Sequence, residues 1–295
     1  MTVTELAENV LVVDVAMSAH LSTKIIALTG ERTVLIDSGT KDAGPSTLLA
    51  CLRERRVAPI TEIFCTHFHH DHIGGLTQLV EESGAVVLAH AAECGLIADP
   101  SAFGEALSRS RLHGAAIPSG SSVNVRAIWD GYSLEVGGRR WEALHVPGHT
   151  WGHLAFWNED ESILIAGDAV QGVGVPFRGV TGQGTGIPYY VDPHAYLDSL
   201  DRMRALQPEV LVTAHENPAW DGTILRGPDI DSALAASAVE VERIDAMVRR
   251  CEKSGLGDVE SVVAHVCHSY ETSPTLQAAV TVRAHLARVR RDRSL

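Results

Sequence analysis

The chain has 295 residues, 45% of them hydrophobic, enough for one large core or a core with a smaller appendage. Its 24 Lys and Arg against 37 Asp and Glu give a net charge of −13, which repels phosphate backbones and argues against a nucleic-acid substrate. No run of about eighteen uncharged apolar residues occurs, and the first nine residues lack a basic segment leading into an apolar one; the expectation is a soluble cytoplasmic protein without a membrane span or secretory leader.

In chain order, strand-like apolar runs appear at 10–16, 25–28 and 34–36, the last ending in the turn sequence Asp37-Ser38-Gly39. A helical pattern over 46–55 precedes a buried strand at 60–65. That strand runs into Thr66-His67-Phe68-His69-His70-Asp71-His72-Ile73-Gly74-Gly75, and a helix is expected over 73–80. Neutral imidazoles and carboxylates are donors that zinc, iron and manganese accept. In an extended chain residues two apart share a side, so His67 and His69 can grip one ion while Asp71 and His72 reach elsewhere and His70 points away. A solvated histidine-rich loop is the plain alternative, but this run is internal and flanked by regular elements.

Beyond a strand at 85–89, residues 91–118 read as mostly helical, with Phe103, Leu107 and Leu112 either facing substrate or packing, and short strands follow through 141–146. Three apolar strands then each end in a ligand type. The segment from Leu144 to His153 passes a Pro-Gly turn and delivers His149, with His153 just beyond; 163–168 ends in Asp168; 210–217 ends in His215-Glu216-Asn217, where Glu216 and Asn217 are expected to cap or orient the loop. A long glycine-rich segment, 170–190, follows Asp168, and loops of this length are usually functional or disordered. Arg178 could meet a substrate carboxylate, and Tyr189 or Tyr190 could donate to a carbonyl; ion pairing and aromatic packing are the competing uses. After a turn-rich stretch at 218–228, three helices are expected within 230–253, 259–268 and 276–291.

Taken in order, His67, His69, Asp71, His72, His149, Asp168 and His215 resemble the ligand set of the metallo-β-lactamase fold superfamily, with its H-x-H-x-D-H motif, later His, bridging Asp and final His. The resemblance runs from about residue 10 to 217 and implies an α/β fold: a four-layer αβ/βα sandwich of two mixed sheets, here with a helical C-terminal extension. It divides the chain into a hydrolase domain, 1–228, and a helical extension, 229–295. It also implies two Zn2+, or Fe or Mn in their place: His67, His69 and His149 on the first, Asp71, His72 and His215 on the second, Asp168 bridging. Three imidazoles leave the first ion electrophilic, while carboxylates at the second lower the net positive charge. The nucleophile implied is a metal-bridging hydroxide, with Asp71 passing its proton to the leaving group. Asp37 and His153 are expected to support ligating imidazoles from behind, since a bound imidazole usually donates its other N–H to a carboxylate or carbonyl; a turn-forming Asp is the equal alternative for Asp37.

The two histidine motifs look closest to glyoxalase II-like and lactonase-like hydrolases. The reading is therefore a hydrolase that cleaves an ester, thioester, lactone or related acyl bond in a small molecule, acting on neither nucleic acid nor membrane, with a homo-oligomer left open. The alternative is a mononuclear-iron persulfide dioxygenase, which shares the fold and much of the motif, and after it a non-catalytic metal-stabilised binding module. Flavin-linked diiron relatives resemble H-x-E-x-D-H, and His69 stands at the Glu position. Five cysteines, an odd number without a C-x-x-C pair, suggest neither a disulfide framework nor a thiolate site. No G-x-S-x-G elbow supports a serine nucleophile. His20, His90, His113, His145, His194, His265, His268 and His285 lie outside the motifs and are read as surface or core histidines.

Overall fold

The structure, a computed structural model, describes residues 2–18, 21–41, 45–99, 123–174 and 186–292. Arg178, Phe103, Leu107 and Leu112 lie outside them. The described residues form two compact units: residues up to 99, 123–145 and 152–167 in the first, and 146–151 together with 168–174 and 186–292 in the second.

The first unit opens with β1 (Thr2–Ala7), β2 (Val10–Ser18), β3 (Leu21–Leu28) and β4 (Thr33–Ile36), followed by α1 (Pro45–Glu54) and β5 (Ile60–Phe64). After α2 (His70–Ile73) and α3 (Leu76–Ser83) come β6 (Val86–His90), α4 (Cys94–Ala98) and β7 (Val125–Ile128). These seven strands make one mixed sheet in sequence order, antiparallel from β1 to β4 and parallel from β4 to β7. Alternation places Leu11, Val13, Val15, Ile25, Ala27, Leu35, Ile63 and Val87 on one face, where they pack with Leu48 and Leu52 of α1 and Leu76 and Leu79 of α3. The opposite face is buried too, with Val12, Ile26, Val34, Ile36, Phe64 and Leu88 almost fully covered. Burial on both faces explains why these strands read as continuous apolar runs.

A second set of strands runs β8 (Tyr132–Val136), β9 (Arg139–His145), β10 (Leu154–Asn158) and β11 (Ile163–Gly167) as one antiparallel sheet in the first unit, while β12 (Val210–Thr213) and β13 (Ile224–Arg226) pair antiparallel in the second. Within the first unit the β8 to β11 sheet packs on the first sheet: the Phe64 ring of β5 lies 5.6 Å from Phe156 of β10 and 6.0 Å from Tyr132 of β8. Residues 159–162 form the turn between β10 and β11.

The second unit carries β12, β13 and four helices: α5 (Pro193–Ala205), α6 (Pro228–Lys253), α7 (Val259–Ser269) and α8 (Leu276–Asp292). Asp192 caps α5 by accepting from the N–H groups of His194 and Ala195, with Pro193 at the first turn, and Asp258 caps α7 through Ser261 N–H. Helix α6 has Asp229 and Asp231 at its start and Arg250 and Lys253 at its end, each sign matching the helix dipole there. It packs against α7 and α8. The interface includes buried polar groups: His285 Nδ1 lies 2.6 Å from Asp245, Arg288 is 3.0 Å from the same carboxylate, and Tyr270 donates to Glu240. No helix among the described residues is long and apolar enough to cross a membrane.

The chain departs from the sequence reading at a short helix, a longer one and two strands. Residues 70–73 are a helical turn, not extended chain, so Asp71 and His72 are displaced from His67 and His69 by helix geometry rather than by strand alternation. Strands β1 and β13 and helix α5 have no counterpart in the sequence reading, β1 because Thr2–Ala7 has no buried residue and lacks an apolar run, β13 because its three residues lie in a turn-rich stretch.

Candidate metal centre

In the first unit, β5 ends and the chain turns straight into Thr66–His72. The turn is brought close to the loop after β4: a Cβ on Gly75 would sit 2.3 Å from the Ser38 carbonyl oxygen, so only glycine permits this approach. His72 carbonyl accepts from both Ser38 N–H, at 2.7 Å, and Ser38 Oγ, at 2.8 Å.

Asp37 is buried, with a positive φ of 66°. Its Oδ1 accepts from Thr66 N–H at 2.7 Å, and its Oδ2 lies 2.8 Å from Thr66 Oγ1 and 2.7 Å from His72 Nδ1. An ionised carboxylate only accepts, so both the hydroxyl and the imidazole Nδ1 are donors here. Thr66 thereby spends its one proton on Asp37 and can only accept from His67 Nδ1, 3.0 Å away. Both imidazoles are held with Nδ1 protonated and Nε2 presenting its lone pair. His67 Nε2 faces His69 Nδ1 at 2.9 Å, two ring nitrogens turned toward a common point. His153, fully buried, stacks on His67 with centroids 4.8 Å apart. The Asp71 carboxylate is buried, 3.5 Å from His70 Nδ1 and 3.7 Å from His72 Nε2; the His70 side chain is 38% exposed.

Glu93, which the sequence reading passed over, is almost fully buried and accepts two main-chain N–H groups, Phe68 at 3.1 Å and Gly152 at 2.7 Å. It ties the first histidine motif to the residue preceding His153. Nothing in its local sequence distinguishes it from a surface Glu, since Gly152 is 59 positions away.

In the second unit, Gly148 has φ 129° and lies against the backbone of Tyr196, which a Cβ would meet at 2.3 Å. Its carbonyl accepts from Val191 N–H at 2.9 Å, and this fixes the turn that carries His149. His149 Nδ1 lies 3.0 Å from the Tyr189 carbonyl oxygen, which can only accept, so Nδ1 carries the proton and Nε2 the lone pair. His149 Nε2 is 3.5 Å from Asp168 Oδ2, and His215 Nε2 is 3.5 Å from Asp168 Oδ1. One carboxylate thus offers an oxygen to each of two imidazoles. Asn217 holds the loop after His215 by donating to the carbonyls of Gln171 and Gly174.

Two groups of side chains in the structure could each hold a metal ion: His67, His69, His149 and Asp168, and Asp71, His72 and His215. The donor chemistry fits a divalent cation, because neutral imidazoles with oriented lone pairs and buried carboxylates have few other uses at this density.

The residues read as substrate contacts are placed differently from one another. The half-buried Tyr189 ring lies edge-on to His149 at 5.4 Å. Tyr190 is fully buried against Tyr196 and His285, its hydroxyl without a hydrogen-bond partner and its pKa raised by burial. All five cysteines are free, and burial pushes the thiols of Cys65, Cys94, Cys251 and Cys267 upward, Cys267 to about 11, the opposite of an activated nucleophile.

Residues 21–215 match the family described as the metallo-beta-lactamase superfamily. The chain is similar to proteins named hydroxyacylglutathione hydrolase. It is 30% identical over 225 residues to that of Methylococcus capsulatus, covering 75% of this chain and 70% of the relative. It is 29% identical over 203 residues to that of Rhodospirillum rubrum, covering 68% and 65%. With that of Pseudomonas aeruginosa the identity is 34% over 161 residues, covering 52% and 50%. The chain therefore spans between half and 70% of the length of these relatives. Among solved structures, a metallo-beta-lactamase family protein from Thermus thermophilus superposes with a TM-score of 0.73 at 24% identity, covering 98% of this chain and 95% of the other. A beta-lactamase domain protein from Burkholderia ambifaria gives 0.71 at 18%, covering 96% and 87%. At these identities the structural likeness concerns the fold alone.

Proposed function

We propose a specific chemistry for this chain, which belongs to the metallo-beta-lactamase superfamily and is a hydrolase of it: a dinuclear zinc centre that cleaves a thioester, ester, lactone or related acyl bond in a small molecule. The observation that carries the reading is Asp168, whose two oxygens each face an imidazole Nε2 at 3.5 Å, an arrangement suited to a carboxylate shared by two ions. His67, His69 and His149 would hold one ion and Asp71, His72 and His215 the other. Iron or manganese would suit the same donors.

When bound, divalent ions supply Lewis acidity toward the acyl oxygen and an activated water. The protein's share is orientation and charge. Asp37 holds His72, and Thr66 holds His67, each with Nδ1 protonated; His153 backs His67 by stacking. The carboxylates of Asp71 and Asp168 offset the positive charge that imidazoles leave uncompensated. Asp71, buried beside His72, is assigned to carry the proton from the attacking water to the departing group.

Arg178, Tyr189 and Tyr190 are the substrate-contacting residues of this proposal. Tyr189, with its ring beside His149, has the strongest support, and the burial of Tyr190 gives it the weakest. The relatives named hydroxyacylglutathione hydrolase favour a thioester as the bond cleaved. A cytoplasmic location, a substrate other than nucleic acid and a boundary between hydrolase domain and helical extension at 228/229 belong to the same reading; the net charge of −13 and the start of α6 at Pro228 support the last two.

The test is metal quantification paired with a hydrolysis screen over thioesters, lactones, esters, amides and β-lactams. Two zinc ions per chain and acyl hydrolysis that a chelator abolishes and zinc restores are expected. One iron per chain with oxygen consumption on a persulfide would assign the dioxygenase reaction instead, and metal uptake without turnover of any substrate would assign a binding module.

A further inference from the structure

We propose that Gln171 and Thr281 are positioning residues for His149, acting through the main chain of Tyr189; the inference rests on the metal-centre reading above. Four consecutive main-chain polar groups, from the carbonyl of residue 188 to the N–H of residue 190, are each held by one of these two side chains. Gln171 Oε1 accepts from Tyr189 N–H at 3.0 Å, and its Nε2 donates to the Tyr189 carbonyl at 3.0 Å. Thr281 Oγ1 donates to the Pro188 carbonyl at 2.9 Å and accepts from Tyr190 N–H at 3.0 Å. Both side chains are buried, so these bonds do not compete with bulk water.

The group they hold is the Tyr189 carbonyl, which receives the Nδ1 proton of His149. Its placement sets the tautomer of that imidazole and the direction in which Nε2 points, here toward Asp168. An outer partner of this kind fixes the tautomer and ring orientation of a ligating imidazole.

Gln171 reaches further. It lies three positions after Asp168, its carbonyl accepts from Asn217 Nδ2, two positions after His215, and its N–H donates to the buried Tyr196 hydroxyl at 3.0 Å. One residue therefore joins the segments that carry His149, Asp168 and His215. Thr281 brings α8 into the same assembly, which gives the C-terminal helices a part in metal binding that their sequence does not announce.

The chemistry of the amide makes a discriminating variant available. Gln171→Glu keeps an acceptor for Tyr189 N–H but sets a carboxylate oxygen against the Tyr189 carbonyl, where a donor is required. Thr281→Val removes both hydroxyl bonds at nearly constant volume, whereas Thr281→Ser retains them. The experiment measures zinc affinity of the full chain by chelator competition and the absorption spectrum of the cobalt(II)-loaded protein, with thermal melting of the metal-free protein as the control for folding. Gln171→Glu and Thr281→Val should lose about 10- to 100-fold in zinc affinity and alter the cobalt spectrum, while Thr281→Ser stays near wild type. Folded variants with wild-type affinity and spectrum would overturn the inference. Should Gln171→Glu fail to fold, the Thr281→Val and Thr281→Ser pair decides. A wild-type chain that takes up neither metal would instead overturn the metal-centre reading, and this inference with it.

Discussion

Replacing Asp37 by Asn tests the orientation of His72 with little disturbance elsewhere. Asp37 has φ 66°, a conformation that Asn adopts as readily as Asp, so the backbone is not strained by the change. The amide must nonetheless put its NH2 on one of two sides. On the side of Oδ2 it opposes the Nδ1–H of His72, 2.7 Å away, and the imidazole answers by moving its proton to Nε2, which removes the lone pair a metal needs. On the side of Oδ1 it opposes Thr66 N–H, also at 2.7 Å, a main-chain donor with no alternative tautomer. The first arrangement should weaken metal binding about 10- to 100-fold, or about 1.4 to 2.8 kcal/mol. The second leaves a buried N–H unsatisfied at a cost of about 1 to 3 kcal/mol of stability. Zinc affinity by chelator competition and denaturant unfolding of the metal-free chain separate the two. An Asp37→Asn protein with wild-type zinc affinity and wild-type stability would refute the reasoning.

Three further outcomes are expected. Glu93→Gln must turn an NH2 toward either Phe68 N–H or Gly152 N–H, and should lose about 1 to 3 kcal/mol in denaturant unfolding; unchanged stability would show that the two bonds hold nothing. Burial, opposed by Asp245, holds the His285 pKa below its ordinary value of 6.5. The unfolded chain therefore binds a proton that the folded chain refuses, and the folded state loses stability as pH falls through and below 6.5. Between about pH 8 and about pH 5, His285→Asn should lose less melting temperature than wild type, and equal losses would contradict this sign. Asp168→Ala should abolish turnover and reduce the metal content, because it removes the oxygens facing both His149 and His215; full activity would exclude a shared carboxylate.

The two groups of side chains that could each hold an ion were readable as a set because their pattern is local or ordered: one dense motif after an apolar strand, then three strands each ending in a ligand type. The helices of the C-terminal region were readable too, since α6, α7 and α8 keep apolar periodicity over 11 to 26 residues. The turn at 70–73 differs from the extended chain expected there because a four-residue helix gives periodicity nothing to act on. What supports the donors was invisible for a different reason. Glu93, Gln171 and Thr281 act through main-chain groups, and a main-chain partner leaves no mark on the sequence at either end. Thr281 lies 91 positions from Tyr190, and no local pattern reports such a bond.

The central claim, that these side chains hold two ions and that hydrolysis depends on both, is tested most directly by titrating the metal-free chain with zinc while following thioester cleavage. Activity should rise with bound zinc, reach its plateau at two equivalents per chain, and be absent throughout in Asp168→Ala. Full activity in the metal-free chain, or a titration of Asp168→Ala indistinguishable from that of wild type, would contradict it.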